Sequence, residues 1–319
     1  MMFIRLLAAF ALCAVGLTSA LAQSFPNRPI TLVMPYAAGS NIDAMVRSVA
    51  SEAAKTLGAQ IVVENKPGAL ARLGVDQLRR APPDGYTLTV ASDGLVVTQP
   101  VADPEFKFEA GRDFTPISLI ASFPLVLVAN PSVPARDIQS LIAHARANSG
   151  KLNMAGGPGS ISHFAFERFN RLTGGHITFI PYKDSSVAIP DLIAGRIDLV
   201  FSGSLVRPHL ESGRLVALAT TGAKRWEVFP QLPTVQESGV DMTTLFWMGI
   251  VAPAATPRDV VNRLNQAFST ALRSEVVTRR RQEFGMDAAP STPEQFTAFI
   301  RSEIDAWTPV IQASGIKVR

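Results

Sequence analysis

Ser160 and His163 first suggest chemistry, because a serine becomes a nucleophile only with a base within reach. They lie in a stretch from Met154 to Phe169 that also holds Gly156, Gly157, Pro158 and Gly159. An esterase elbow reads G-x-S-x-G, and the order Gly157-Pro158-Gly159-Ser160-Ile161 does not form one. Ser160 fits instead the N-cap of a helix, where a hydroxyl satisfies an amide of the first turn. His163 then falls in that turn, where it either reaches a bound anion or packs. Glycines permit positive φ and close approach of a ligand. Free N–H groups at the positive end of a helix suit an anion.

A second stretch has the same logic. Ile30 to Met34 reads as a strand, Pro35 to Asp43 as a glycine-bearing corner, and Ile42, Val46, Val49, Ala53 and Leu57 as a helix face. Asp43 there either stabilises the helix dipole or contacts a ligand, and Tyr36 either flanks a ligand or packs at the strand end. His144, His163, His176 and His209 show no metal-ligand spacing, so no metal is expected. The glycines near Gly156 form neither a dinucleotide fingerprint nor a P-loop, and no cofactor is expected.

Two strand–glycine–helix corners need two α/β units to hold them. A length of 319 residues suits two domains, and 47% hydrophobic residues suffice for a large core. Strands are expected at Gln60 to Asn65 and Tyr86 to Ala91, giving a parallel β-α-β-α-β start. The apolar runs Ser118 to Ala121 and Leu125 to Ala129 have no helix between them and read as the passage into the second domain. Ile138, Leu141, Ile142 and Ala145 mark an amphipathic helix. Further strands follow at Lys151 to Met154, Ile177 to Ile180, Asp198 to Phe201 and Leu215 to Ala219. Leu245 to Val251 returns to the first domain, and two helices close the chain, the second opened by a capping box at Thr292. The fold class is α/β, with lobe 1 over 23–123 plus 249–319 and lobe 2 over 124–248.

Residues 1–22 read as a signal peptide: Arg5 precedes an apolar run from Leu6 to Leu17, and Ala20-Leu21-Ala22 is a cleavage site. Cys13, the single cysteine, falls inside it, so the mature chain has no disulfide and no thiolate. Export without disulfides fits a periplasm. The net charge is only +4, and the Arg279-Arg280-Arg281 cluster reads as a solvated helix face, so no nucleic-acid partner is expected.

Several segments together resemble the Bug family of periplasmic solute receptors, also called tripartite tricarboxylate transporter receptors. They are Pro29 to Gly39 with Asp43, Val62 to Gly68, Pro83 to Leu88, Gly157 to His163 and Pro181 to Lys183. Leu232 to Thr234, Ala252-Pro253 and Thr292 to Phe296 complete the set in the same order. The resemblance implies a two-lobed type II periplasmic binding protein fold, with two crossover strands between doubly wound domains. It implies a monomer that captures a small carboxylate or related metabolite and passes it to integral-membrane transporter subunits. The resemblance thus implies a receptor and not an enzyme. Backbone amides and waters from the two corners would grip the ligand, carried here by Tyr36, Ala38, Gly39, Ser40, Asn41 and Asp43. Gly156, Pro158, Gly159, Ser160 and His163 would face them, with Ser92 and Ser202 adding contacts.

The family pattern departs at Ser40, Asp184 and Ser202, which stand where glycine, glycine and aspartate are usual. Absence of that aspartate argues against an amino-acid ligand. The alternatives are an exported sensor that signals to a membrane partner, and a periplasmic serine hydrolase using Ser160 and His163.

Overall fold

The computed structural model describes residues 25–36, 38–67, 72–103, 105–287 and 290–315. The expected signal peptide, Cys13 and the turn residue Gly68 lie outside them.

Two five-stranded sheets organise the chain, each with helices on its faces. The first contains β1 (Ile30–Met34), β2 (Ile61–Asn65), β3 (Thr87–Ser92), β4 (Phe114–Pro124) and β10 (Leu245–Pro253), in the order β2-β1-β3-β10-β4. The second contains β5 (Val126–Ala129), β6 (Asn153–Gly156), β7 (Thr178–Pro181), β8 (Leu199–Ser202) and β9 (Val216–Thr220), in the order β7-β6-β8-β5-β9. β1 pairs in parallel with β2 and β3, as the helices between them require, and β6 pairs in parallel with β7 and β8. β10 returns antiparallel between β3 and β4. This is the two-lobed α/β architecture expected from the sequence.

Helix α1 (Asn41–Leu57) follows β1; Ser40 caps its start and Gly58, at φ 72°, ends it. A π-helical turn over Gly94–Thr98 follows β3 directly, which the strand-and-turn pattern does not announce. In the second lobe α5 (Ile161–Thr173) follows β6. Three helices close the chain rather than the expected two: Arg258–Leu272, Glu275–Phe284 and Pro293–Ser314. The middle one buries only Val277 and Phe284, so its apolar period is too sparse to read.

The chain leaves the first sheet at Pro124 and enters the second at Val126, then returns between Thr220 and Leu245. Thr221 stitches the two passages together. Its N–H donates to Leu125 O at 2.8 Å, and its Oγ1 accepts from Leu125 N at 2.8 Å and donates to Thr244 O at 2.6 Å. Apolar packing continues across this joint: Met248 and Phe268 share a buried cluster with Leu192 and Val206, and Trp247 and Phe296 share another with Phe164 and Phe169.

Candidate functional site

The first corner is held by one carboxylate. Ser40, at φ −81° and ψ 161°, accepts from Asp43 N through Oγ at 3.1 Å, the geometry of an N-cap. Asp43 Oδ2 accepts from Gly39 N at 3.1 Å and from Arg47 Nε at 3.0 Å, while Oδ1 accepts from Asn65 Nδ2 at 2.8 Å. Asn65 Nδ2 also reaches Tyr36 O at 3.0 Å, which ties the end of β2 to the loop. Burial pushes the Asp43 carboxyl up, but the bonds from Asn65, Arg47 and Gly39 outweigh it and hold it below the usual carboxylate range. Asp43 is 4% exposed, so it braces the loop from beneath. The Gly39 N–H is therefore spent on Asp43 within the loop.

The second corner repeats the device. Gly159 sits at φ 73°, as Gly39 sits at φ 87°. Ser160 caps α5 by accepting from His163 N, and Gly159 N donates to His163 Nδ1 at 3.1 Å. The Ser160 amide is also taken, by Gly157 O at 3.1 Å. The His163 ring stacks on Phe179 with centroids 3.8 Å apart, and burial pulls its pKa down to about 4. It is therefore neutral at physiological pH, with the proton on Nε2 because Nδ1 accepts. The imidazole braces and packs; it brings no positive charge to an anion. Ser160 Oγ bonds Gly157 O at 2.7 Å and Ser162 Oγ at 2.8 Å, and no ring nitrogen bonds it among the described residues. That geometry gives the hydrolase reading no activated nucleophile.

The two corners meet through the segment after β3. Tyr36 Oη and Ser92 Oγ are 2.5 Å apart. Burial, with the charges of Asp93 and Asp184, raises the Tyr36 phenol above its ordinary value, so it stays protonated. Thr98 Oγ1, in the π turn, lies 3.2 Å from both Gly94 O and Gly159 O, so a first-lobe hydroxyl touches the second-lobe corner. Asp93 is 1% exposed, and burial drives its carboxyl well upward despite a bond from the Trp247 backbone. Ser202, 4% exposed, ends β8 with no side-chain hydrogen bond among the described residues. Pro158, Ala38 and Ser40 are exposed beside these groups.

A family model described as tripartite tricarboxylate transporter family receptor matches residues 45–316. The chain belongs to this receptor family. A UPF0065 protein of Pseudomonas sp. (strain P51) is 35% identical over 314 residues, covering 96% of this chain and 93% of its own. Protein BugT of Bordetella pertussis is 32% identical over 302 residues, covering 93% of each. Among solved structures, the periplasmic binding protein BugD superposes with a TM-score of 0.80 at 30% identity, covering 92% of this chain and 100% of its own. MatC from Rhodopseudomonas palustris with bound malate superposes at 0.79 with 30% identity, covering 90% and 100%. An R. palustris protein solved with adipate superposes at 0.82 with 31% identity, covering 92% and 99%.

Several donors at the two corners are not used in the bracing. They are the first-turn amides of Asn41 and Ile42 and of Ile161 and Ser162, which make no intramolecular hydrogen bond among the described residues. The Ser202 hydroxyl at the end of β8 is likewise unbonded among the described residues, whereas the Ser92 hydroxyl at the end of β3 is spent on Tyr36. Asp184 caps its own turn, accepting from Ser186 N at 2.8 Å. Sequence reasoning missed Asn65, Asp93 and Thr98 as parts of the assembly. Only Asn65 had a signal, inside the Val62 to Gly68 segment. No group of three or more metal-ligating side chains occurs among the described residues. No helix among them is long and apolar enough to cross a membrane.

Proposed function

We propose that the chain is an exported receptor that captures a small carboxylate between its lobes and presents it to the membrane subunits of a tripartite transporter. The observation that supports this reading is the Thr98–Gly159 bond, which brings the first lobe's segment after β3 onto the second capped corner, while Tyr36–Ser92 ties the first corner to the end of β3. Membership of the receptor family supports export to the periplasm and the transporter partner, with residues 1–22 as the leader. The malate and adipate bound by structural relatives support a dicarboxylate or similar acid. The receptor reading is favoured over the hydrolase one because the hydroxyl of Ser160 and the ring of His163 both hold backbone.

The test is a melting-temperature screen of the purified chain against malate, adipate, citrate and their monocarboxylate counterparts. A true ligand at about 100 times its Kd adds about 2.7 kcal/mol of stability. It should also be recovered chemically unchanged. A screen in which no acid shifts the transition, or in which the acid is converted, would defeat the proposal.

A further inference from the structure

A second concavity lies away from the corners. It is an open cavity of about 610 Å³ on the flank of the hinge, the joint where the chain crosses between the two sheets at Pro124 and Leu245, and none of the expected ligand residues lines it. One wall comes from the crossover strands and the end of the Glu275–Phe284 helix, the other from Arg207 and the segment Gly222 to Gln231 of the second lobe. Its volume falls within the roughly 300–1,000 Å³ typical of small-molecule sites.

The floor is apolar and fixed. Trp226 is 5% exposed; its Nε1 donates to Gly285 O at 2.7 Å, its ring stacks on Phe123 at 6.4 Å, and Phe229 meets it edge-on at 5.3 Å. Pro124, Leu245 and Met286 continue this surface. Gly285 makes the close approach possible: at φ 65°, a Cβ there would lie 2.1 Å from Val228 Cγ2 and 3.0 Å from the Trp226 ring. Trp226 thus holds a second-lobe segment against a first-lobe turn without filling the space above it.

The rim is basic. Arg207, Lys224, Arg225 and Arg281 line the opening, against the acids Glu227 and Asp287. Lys224 is exposed and in no ion pair among the described residues. Arg207 pairs with Glu211 at 2.8 Å and Arg225 with Glu237 at 2.9 Å, but these pairs are half-exposed and such pairs hold weakly, so an arriving carboxylate competes for them.

We propose that this crevice is a second binding site, for a carboxylate bearing an apolar or aromatic body. The body lies on Trp226 and Phe123 and the carboxylate on Arg207 and Lys224. Because the walls come from both lobes, the occupant also bridges the hinge. This goes beyond the corner receptor and does not depend on which acid the corners take.

Benzoate is the probe, titrated into the purified full-length mature chain by calorimetry and by tryptophan fluorescence. Two variants separate the sites: Asn41→Trp, which fills the mouth of the first corner, and the double variant Arg207→Glu with Lys224→Glu. Arg207→Gln serves if the double variant unfolds, as judged by its melting curve. The expected result is that benzoate binds the wild type and Asn41→Trp equally, and at least about tenfold more weakly once the rim charges are removed. Trp226→Phe should abolish the fluorescence response. No benzoate binding up to about 10 mM overturns the proposal. So does binding lost in Asn41→Trp but kept in the rim variants, which would place benzoate in the corners. A hexaglutamate peptide that binds in a rim-dependent way while benzoate does not would also overturn it, in favour of an acidic protein surface. The malate and adipate screen is run on the same samples, so failure of the corner reading is recorded separately.

Discussion

Replacing Asp43 separates a brace from a ligand contact. In Asp43→Ala, the Gly39 amide and the Asn65 side-chain amide lose a charged acceptor at 3.1 and 2.8 Å. Hydrogen bonds to a charged group are each worth roughly 1.5–3 kcal/mol. The Arg47 partner is 46% exposed and water can replace the pair, so it adds only about 0.5 kcal/mol. Loss of a carboxylate from the first helical turn adds about another 0.5 kcal/mol. With both bonds taken at the low end of that range the sum is about 4 kcal/mol, a large part of the roughly 5–15 kcal/mol that holds a domain together. Asp43→Asn keeps one acceptor oxygen and should lose about half of that. Urea denaturation measures both. The pH dependence adds an independent check. The folded carboxyl is held below its ordinary value, so the unfolded chain binds more protons in that window. The contribution is therefore complete above about pH 4 and lost as the pH falls through the folded value. Both variants should lack that acid limb. Unchanged stability in Asp43→Asn, with ligand binding abolished, would show that Asp43 contacts the ligand and that the bracing argument is wrong.

His163 is held neutral by burial, so wild-type stability should decline as the pH falls from 6.5 toward about 4, where the unfolded chain binds the extra proton. His163→Phe keeps the stack on Phe179 and should flatten that limb in pH-dependent melting curves. Thr221→Val leaves Leu125 N without its acceptor and Thr244 O without its hydroxyl donor, and should cost about 2 kcal/mol in urea titrations. Gly249→Ala places a Cβ 2.2 Å from Phe296 Cζ and 2.8 Å from Ser118 O. Overpacking of that kind costs about 3 kcal/mol, read as a drop in melting temperature.

What the sequence made legible was whatever depends on near neighbours along the chain. Ser40 and Ser160 announce helix starts because capping is local, and the parallel order of β1, β2 and β3 follows from strands alternating with helices. The family segments carried the two-lobed architecture. What stayed hidden depends on tertiary approach. Thr98 meets Gly159 O from a π turn that follows the end of β3, and nothing in Gly94–Thr98 encodes that turn. Asp93 reads as a turn residue and proves to be a buried, upshifted carboxyl beneath Trp247. The amides of Gly39 and Gly159 looked free because their acceptors are side chains folded back from the helix, which periodicity does not reveal.

The two corners share a plan and differ in charge, and that difference predicts where an acid docks. In each, a glycine with positive φ precedes a capping serine, and a side chain in the first helical turn accepts the glycine amide. At the first corner the acceptor is the Asp43 carboxylate, which already compensates the positive end of α1. At the second it is the neutral His163 imidazole, so the end of α5 remains uncompensated. An anionic group should therefore favour the Ile161 and Ser162 amides, leaving the first corner to neutral polar atoms. Installing a carboxylate by His163→Asp keeps an acceptor in the first turn and removes the asymmetry. Acid binding should weaken at least about tenfold, since each factor of ten is about 1.4 kcal/mol and a like charge near the ligand costs that much. His163→Asn, an uncharged acceptor of similar reach, should recover most of the affinity. Equal affinities in the aspartate and asparagine variants, with both folded by their melting curves, would mean that the end of α5 does not receive the carboxylate.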